Sequence, residues 1–275
     1  MAGLSISKAW EDSKARLAAD GKLMVAVALA LIMLPQAVVV LAAPPAALSG
    51  AEPGGESSAL MLAATILALV GQLAIARLAI GPATSVGDSI AHGFKRLLPL
   101  IGAVLILALV VILIAIPLTM LLVGVDGLEA AAAGGTATSG LGLTVLLLVI
   151  IALLVGARFL LLVPVATAEP GGPIHILKRC SALVSGHYIK LIGFVLLLLI
   201  LLMIITLAIQ LGGGSLIQLF LDIKPFSVGA LLYGLLVSAL QAAIAVPFSV
   251  LVSQIYLQLA GGGDSETVSV PSSGT

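Results

Sequence analysis

Residues Arg158–Gly193 read RFLLLVPVATAEPGGPIHILKRCSALVSGHYIKLIG. An apolar run comes to Pro164 and Glu169, turns through Gly171-Gly172-Pro173 and becomes a basic segment with apolar residues at helical spacing. From Tyr188 the chain is apolar again. This is the pattern of a helix that leaves a bilayer, a short helix at its surface, and a helix that re-enters. Weaker versions stand ahead of Leu23 and Leu98.

The whole chain agrees with a membrane reading. Of 275 residues, 61% are hydrophobic and 9% charged, and mean hydropathy is +1.31. A soluble domain carries roughly 25% charged residues, so most of the apolar surface has to face lipid. The net charge of zero argues against a nucleic-acid binder, which needs a basic face for phosphates. The single cysteine, Cys180, excludes an internal disulfide and a Cys-rich metal site.

A helix needs about 20 apolar residues to cross a bilayer. Six stretches qualify, near Leu23–Ala43, Ala59–Ile80, Leu98–Val123, Leu141–Pro164, Tyr188–Leu211 and Val228–Ala260. The fold expected is all-α and polytopic, with six transmembrane helices. Residues 1–22 form a cytoplasmic amphipathic segment, residues 23–260 the membrane domain, and residues 261–275 a disordered Gly/Ser-rich tail. The first apolar run is longer than a signal-peptide core, and Glu11, Asp12 and Asp20 precede it, so it is expected to be retained.

Charge gives the orientation. Lys8, Lys14, Arg16 and Lys22 precede the first span, Arg77, Lys95 and Arg96 lie between the second and third, and Arg158, Lys178, Arg179 and Lys190 lie around the fourth-to-fifth connection. The alternate connections hold Glu52, Glu56, Asp126, Glu129 and Asp222, with Lys224 as their one base. Positive charge marks the cytoplasmic side, so both termini are expected inside a bacterial cytoplasmic membrane.

A unit recurs: amphipathic helix, span, outer loop, span. Ile6, Trp10, Ser13 and Leu17 share a helical face, as do Val86, Ile90, Phe94 and Leu97, and Ile176, Cys180, Leu183 and Val184 form the third such face. ISKAWEDSKARL and VGDSIAHGFKRL align without a gap, and Ala76-Arg77 matches Ala157-Arg158. Ser85 and Asp88 have the spacing of a capping box. Two crossings per unit predict three parallel hairpin repeats, each led by a cytoplasmic amphipathic helix. Such helices rest in the lipid interface or dock a partner.

Pro164, Glu169 and Gly172, followed in register by Leu177, Lys178, Arg179, Leu183, Gly186, Tyr188 and Gly193, resemble the membrane domain attached to bacterial glycerophosphoryl diester phosphodiesterases, which also occurs free-standing. Cys180, Ser181 and Val184 depart from that family's usual Ser, aromatic and Thr, and Ile255-Tyr256-Leu257-Gln258-Leu259 lacks its Asp and Arg. The resemblance carries no activity with it, because hydrolysis in the two-part proteins belongs to a separate soluble domain.

Chemistry is sparse. His92, His175 and His187 are not equivalently placed in their units, which argues against a symmetric metal site. No zincin motif, phosphate loop or nucleophile elbow is present. Neither a catalytic residue nor a cofactor is expected. Gly212-Gly213-Gly214 reads as a loop and helix break, and Cys180 as a packing residue rather than a reactive thiol.

Polar residues within spans are the better pointers, because each is costly there. They are Gln36, Gln72 and Gln241. The glutamines either bridge helices or face a common water-filled cavity. Arg77 and Arg158 either snorkel or bind lipid phosphate, together with Lys95, Arg96, Lys178 and Arg179. Glu169 has Arg158, Lys178 and Arg179 as candidate partners. Pro35, Pro117 and Pro247 permit kinks. Membrane lipids are the expected partners, with a second membrane protein as a further candidate and nucleic acid excluded. The function expected is non-catalytic: membrane organisation, headgroup binding or an accessory role. A small transporter or channel through the bundle is the alternative.

Overall fold

The computed structural model describes residues 5–44, 56–81, 85–132 and 139–264. Glu52 and residues 265–275 of the expected tail lie outside the described residues. The described chain is all-α. Six of its helical stretches are long and apolar enough to cross a membrane: Ile6–Ala42, Ser58–Ile80, Val86–Gly124, Gly140–Ala168, Tyr188–Ala208 and Val228–Gly261.

The first span is α1 (Ile6–Ala28), a π-helical turn (Leu29–Met33) and α2 (Leu34–Ala42). The second is α3 (Glu56–Ile80) and the third α4 (Val86–Ala132). α5 (Ser139–Arg158) and α6 (Leu162–Ala168) make the fourth, and the separate helix α7 (Pro173–Ser185) follows. α8 (Tyr188–Ala208) runs through a second π turn (Ile209–Gly214) into α9 (Ser215–Phe220), and α10 (Val228–Asp264) closes the chain.

The amphipathic stretches before the first and third spans are not separate elements. α1 passes residue 22 and α4 passes residue 97 without interruption, so the expected boundary between residues 22 and 23 is not a structural one. Gly21 is the strongest breaker near the first junction, and an isolated helical glycine costs only about 1 kcal/mol. Both helices begin with a serine cap. Ser5 Oγ accepts from the Lys8 N–H at 3.3 Å. Ser85 Oγ accepts from the Asp88 N–H at 3.1 Å and donates to Asp88 Oδ2 at 2.7 Å.

Prolines locate two of the irregularities. The π turn Leu29–Met33 immediately precedes Leu34-Pro35, where the ladder lacks one N–H. Residues 159–161 interrupt the fourth span just ahead of Pro164, which then sits in the first turn of α6, where a missing N–H costs no intrahelical bond. The helix restarts at Leu162 and runs on through Pro164 to Ala168. α4 carries its non-helical residue at Gly124 (φ 72°). The expected break at Gly212–Gly214 is a π turn inside a continuing helix. A Cβ on Gly213 would stand 2.7 Å from Leu236 Cδ2, so this glycine allows close approach to α10.

Packing is uneven. The first, second and sixth spans meet through Met24, Val27, Ala28 and Ile32, through Ala74, Ile75, Leu78 and Ala79, and through Ala242, Val246 and Val250. In the most apolar part of these three spans 39%, 39% and 33% of residues are buried, against 11%, 17% and 11% in the third, fourth and fifth. The first group is the scaffold and the second its lipid-facing periphery. Leu105, Leu109 and Leu113, one face of α4, are all more than 60% exposed, a stripe that only lipid or another apolar surface can cover.

Contacts tie the helix ends. At one end Arg16 donates to the Leu78 carbonyl (2.6 Å through Nη2) and to that of Gly81, capping the last turn of α3, and pairs with Asp20 at 3.2 Å. There too His92 Nε2 lies 2.9 Å from the Thr167 carbonyl. At the opposite end the Phe226 N–H donates to Leu41 (2.8 Å), and Ile223, Val40, Ala230 and Tyr233 form a small core.

Candidate functional site

The end that carries Arg16 and His92 also holds a charged cluster around Glu169. α6 stops there because Pro170 follows, and a residue before proline disfavours helical angles; Glu169 is extended (φ −102°, ψ 132°). Gly171 and Gly172 complete the turn, and Pro173 opens α7. The corner brings Arg179 back onto Glu169: its Nε donates to both carboxylate oxygens, at 2.9 and 3.1 Å. The Tyr256 hydroxyl donates to Glu169 Oε1 at 3.1 Å from the sixth span. His175 Nε2 stands 3.6 Å from Oε2. One carboxylate thus joins the fourth span, α7 and α10. Of the three bases proposed as its partner, it takes Arg179.

Beneath it Cys180 is fully buried. Burial first, and the Glu169 carboxylate second, push its thiol up to about 12 from 9.0. The thiolate, the reactive form, is suppressed at neutral pH. Ile176 and Val184 are buried on the same side of α7.

The other basic candidates separate into groups. Arg158 ends α5, is exposed, and donates to Ser181 Oγ of α7 at 2.5 Å. Lys178, also exposed, is three residues before Ser181 and so on the same helical face. Arg158 and Lys178 therefore flank one patch. Arg179 is engaged by Glu169. Lys95 is exposed and Arg96 and Arg77 half-buried, with no hydrogen bond or ion pair joining them to that patch among the described residues. Arg77 lies three residues before the end of α3, whereas Arg158 has α6 still to follow, so the matching Ala-Arg pairs stand at different distances from their span ends.

Of the intramembrane glutamines, Gln36 is half-buried in α2. Gln241 lines a cavity of about 230 Å³ between α8 and α10, with Thr206, Tyr233 and Phe248. Gln72 lines a smaller one, about 100 Å³, with Pro164 and Ser249. Ala245 and Phe248 line both, so the two adjoin. Thr206 and Ser249 carry no sequence signal, since membrane serines and threonines ordinarily bond their own helix. Tyr256 carries no signal of its own in the sequence; its stretch, Ile255–Leu259, stands out only for lacking an Asp and an Arg. Among the described residues no group of three His, Cys, Asp or Glu side chains is placed to hold a metal ion.

No family model, curated protein or solved structure matches this chain.

Proposed function

We propose that this is a non-catalytic multi-pass protein of a bacterial cytoplasmic membrane, with both termini inside, that holds anionic lipid headgroups at its basic end. The observation that carries the reading is the patch where exposed Arg158 and Lys178 flank Ser181, beside six long apolar helices. Two cations and a hydroxyl suit a phosphate, and each cation near an anionic surface contributes about 1 kcal/mol. The charge asymmetry between connections supports the orientation.

Repetition supports three similar arms. Counting from the caps Ser5, Ser85 and Gly172, the fourth residue of each helix is Ala9, Ser89 and Ile176, and the eighth is Ser13, Gly93 and Cys180; all six are buried. The likeness of the central stretch to the phosphodiesterase-linked membrane domain is in keeping with a role that needs no active site. A transporter remains the second reading, favoured by the adjoining cavities that hold Gln72 and Gln241. The space between the first, second and sixth spans, where a channel axis would run, is filled by side chains.

Native mass spectrometry of protein gently extracted from its own membrane tests the proposal. Wild type should retain an anionic phospholipid that the Arg158→Ala, Lys178→Ala double variant releases. Retention of zwitterionic lipid alone, or of a protein partner without lipid, overturns it.

A further inference from the structure

The adjoining cavities carry a separate conclusion. We propose that the space between α8 and α10 is a lipid-binding site, open sideways to the bilayer, for an uncharged amphiphile with both hydrogen-bond acceptors and a donor. A diacylglycerol, with two ester carbonyls and one hydroxyl, is the chemical type. The site shares no residue with the basic patch and does not depend on it.

The argument begins with unmet hydrogen bonds. Thr65, Thr119, Thr144, Thr167, Ser238 and Ser253 each bond a carbonyl of their own helix. Thr206, Gln241, Gln72 and Ser249 are different: among the described residues their side chains have no partner, and all four line the two cavities. In hydrocarbon each unsatisfied polar group costs several kcal/mol. Gln241 lies 13 residues into α10, about 20 Å from its start, and further still from its other end. Gln241 is thus remote from both ends of its helix and from headgroup water, so something that enters the cavity has to meet it.

The lining selects what enters. It contains no charged residue. An anion would lose its water with no cation to replace it, a large penalty at low dielectric. Amides and hydroxyls both donate and accept, so they match ester and hydroxyl groups. The larger cavity, about 230 Å³, has room for roughly eight water-sized groups, enough for a glycerol diester core but not its chains. Thr206, Gln241 and Phe248 are exposed on the lipid-facing surface, so the chains can lie outside in the bilayer. The π turn Ile209–Gly214 places Ile209 in the wall, and such turns are frequent at functional sites.

The test uses the full chain in dioleoylphosphatidylcholine nanodiscs with a diacylglycerol carrying a photoactivatable group next to the ester of one acyl chain, where it enters the cavity with the glycerol core. Cross-links should concentrate in residues 202–209 and 233–248. Unlabelled dioleoylglycerol should compete, and dioleoylphosphatidic acid at equal concentration should not. Gln241→Leu should lower the yield about fivefold, the loss expected for one hydrogen bond. Ala245→Phe, which fills the shared wall, should lower it as well, and Gln36→Leu should leave it unchanged. Labelling spread equally over the Leu105–Leu109–Leu113 stripe of α4, or equal competition by the phosphatidic acid, overturns the proposal. Both readouts are made on wild type, so they stand even where a variant fails to fold.

Discussion

Glu169→Ala should unlock α7, and Cys180 reports it. The chain has no other cysteine, so alkylation reads one site. In wild type the thiol is fully buried and its pKa is raised from 9.0 to about 12. That lowers the thiolate fraction at neutral pH by roughly a thousandfold relative to a free thiol, and labelling then requires local opening. Removing the carboxylate leaves the buried Tyr256 hydroxyl without its acceptor, a loss of about 1–3 kcal/mol. The Arg179 pair adds less than about 1 kcal/mol, because that side chain is 42% exposed and water screens it. Local opening should therefore become easier by about 1–4 kcal/mol, or roughly 5–700-fold in rate, at about 1.4 kcal/mol per factor of ten. Loss of the Glu169 field acts in the same direction. The assay is N-ethylmaleimide labelling of the protein in nanodiscs, followed by intact mass. Glu169→Gln, which keeps an acceptor for Tyr256, should give a smaller rise. A folded Glu169→Ala protein that labels at the wild-type rate refutes the clamp.

Two further outcomes follow from named contacts. The folded pKa of Cys180 lies above the unfolded value, so its contribution to stability is complete below about pH 9 and is lost as pH rises toward 12; at pH 10.5 the loss is about 2 kcal/mol. Thermal unfolding of wild type should fall more steeply between pH 8.5 and 10.5 than that of Cys180→Ala, and parallel curves would contradict the burial of the thiol. A Cβ on Gly93 would meet the Val70 carbonyl at 2.9 Å, whereas one on Gly87 meets nothing nearer than Ser85 Oγ at 3.9 Å. Gly93→Ala should therefore destabilise by about 1–3 kcal/mol and Gly87→Ala should not, with melting temperatures in detergent as the measurement.

Much of the architecture is legible in the chain because lipid imposes a length and a composition on every crossing. Six apolar runs become six long helices, and the polar corner at Glu169-Pro170-Gly171-Gly172 separates two of them as read. Junctions inside continuous helices are not legible: around Gly21 and Leu97 the chain changes polarity without changing conformation, and helical propensity does not register polarity. Pro164 looks like a stop because proline commonly ends helices, but a first-turn proline is equally favourable, and the interruption falls before it. At the site, Gln72 and Gln241 are conspicuous as amides in hydrocarbon. Thr206 and Ser249 are not, since only packing decides whether a hydroxyl finds its own helix. Glu169 offered three cations within reach of its loop, and only the α7 turn singles out Arg179.

The division between scaffold and periphery gives the two proposed sites a common origin. Within a bilayer, apolar burial drives helices together only weakly, since lipid tails are as apolar as leucine. The first, second and sixth spans associate through small residues and close approach: a Cβ on Gly71 would stand 3.1 Å from Leu31 Cβ, and one on Gly234 would stand 3.1 Å from the Ala37 carbonyl. The fifth span has few such residues facing α10 and leaves the 230 Å³ gap there. The fourth is held mainly at the basic end, where Glu169 ties its end to α7 and α10 and Arg158 reaches α7. An ordinary acyl chain can fill the apolar part of that gap, but it offers nothing to Gln241, Thr206, Gln72 or Ser249. On the proposal, a lipid that brings a hydroxyl and carbonyls into the gap would satisfy those groups and fill the space at once. Both proposals therefore put the selection of lipid on the loosely packed face, with the tightly packed face as the frame that presents it.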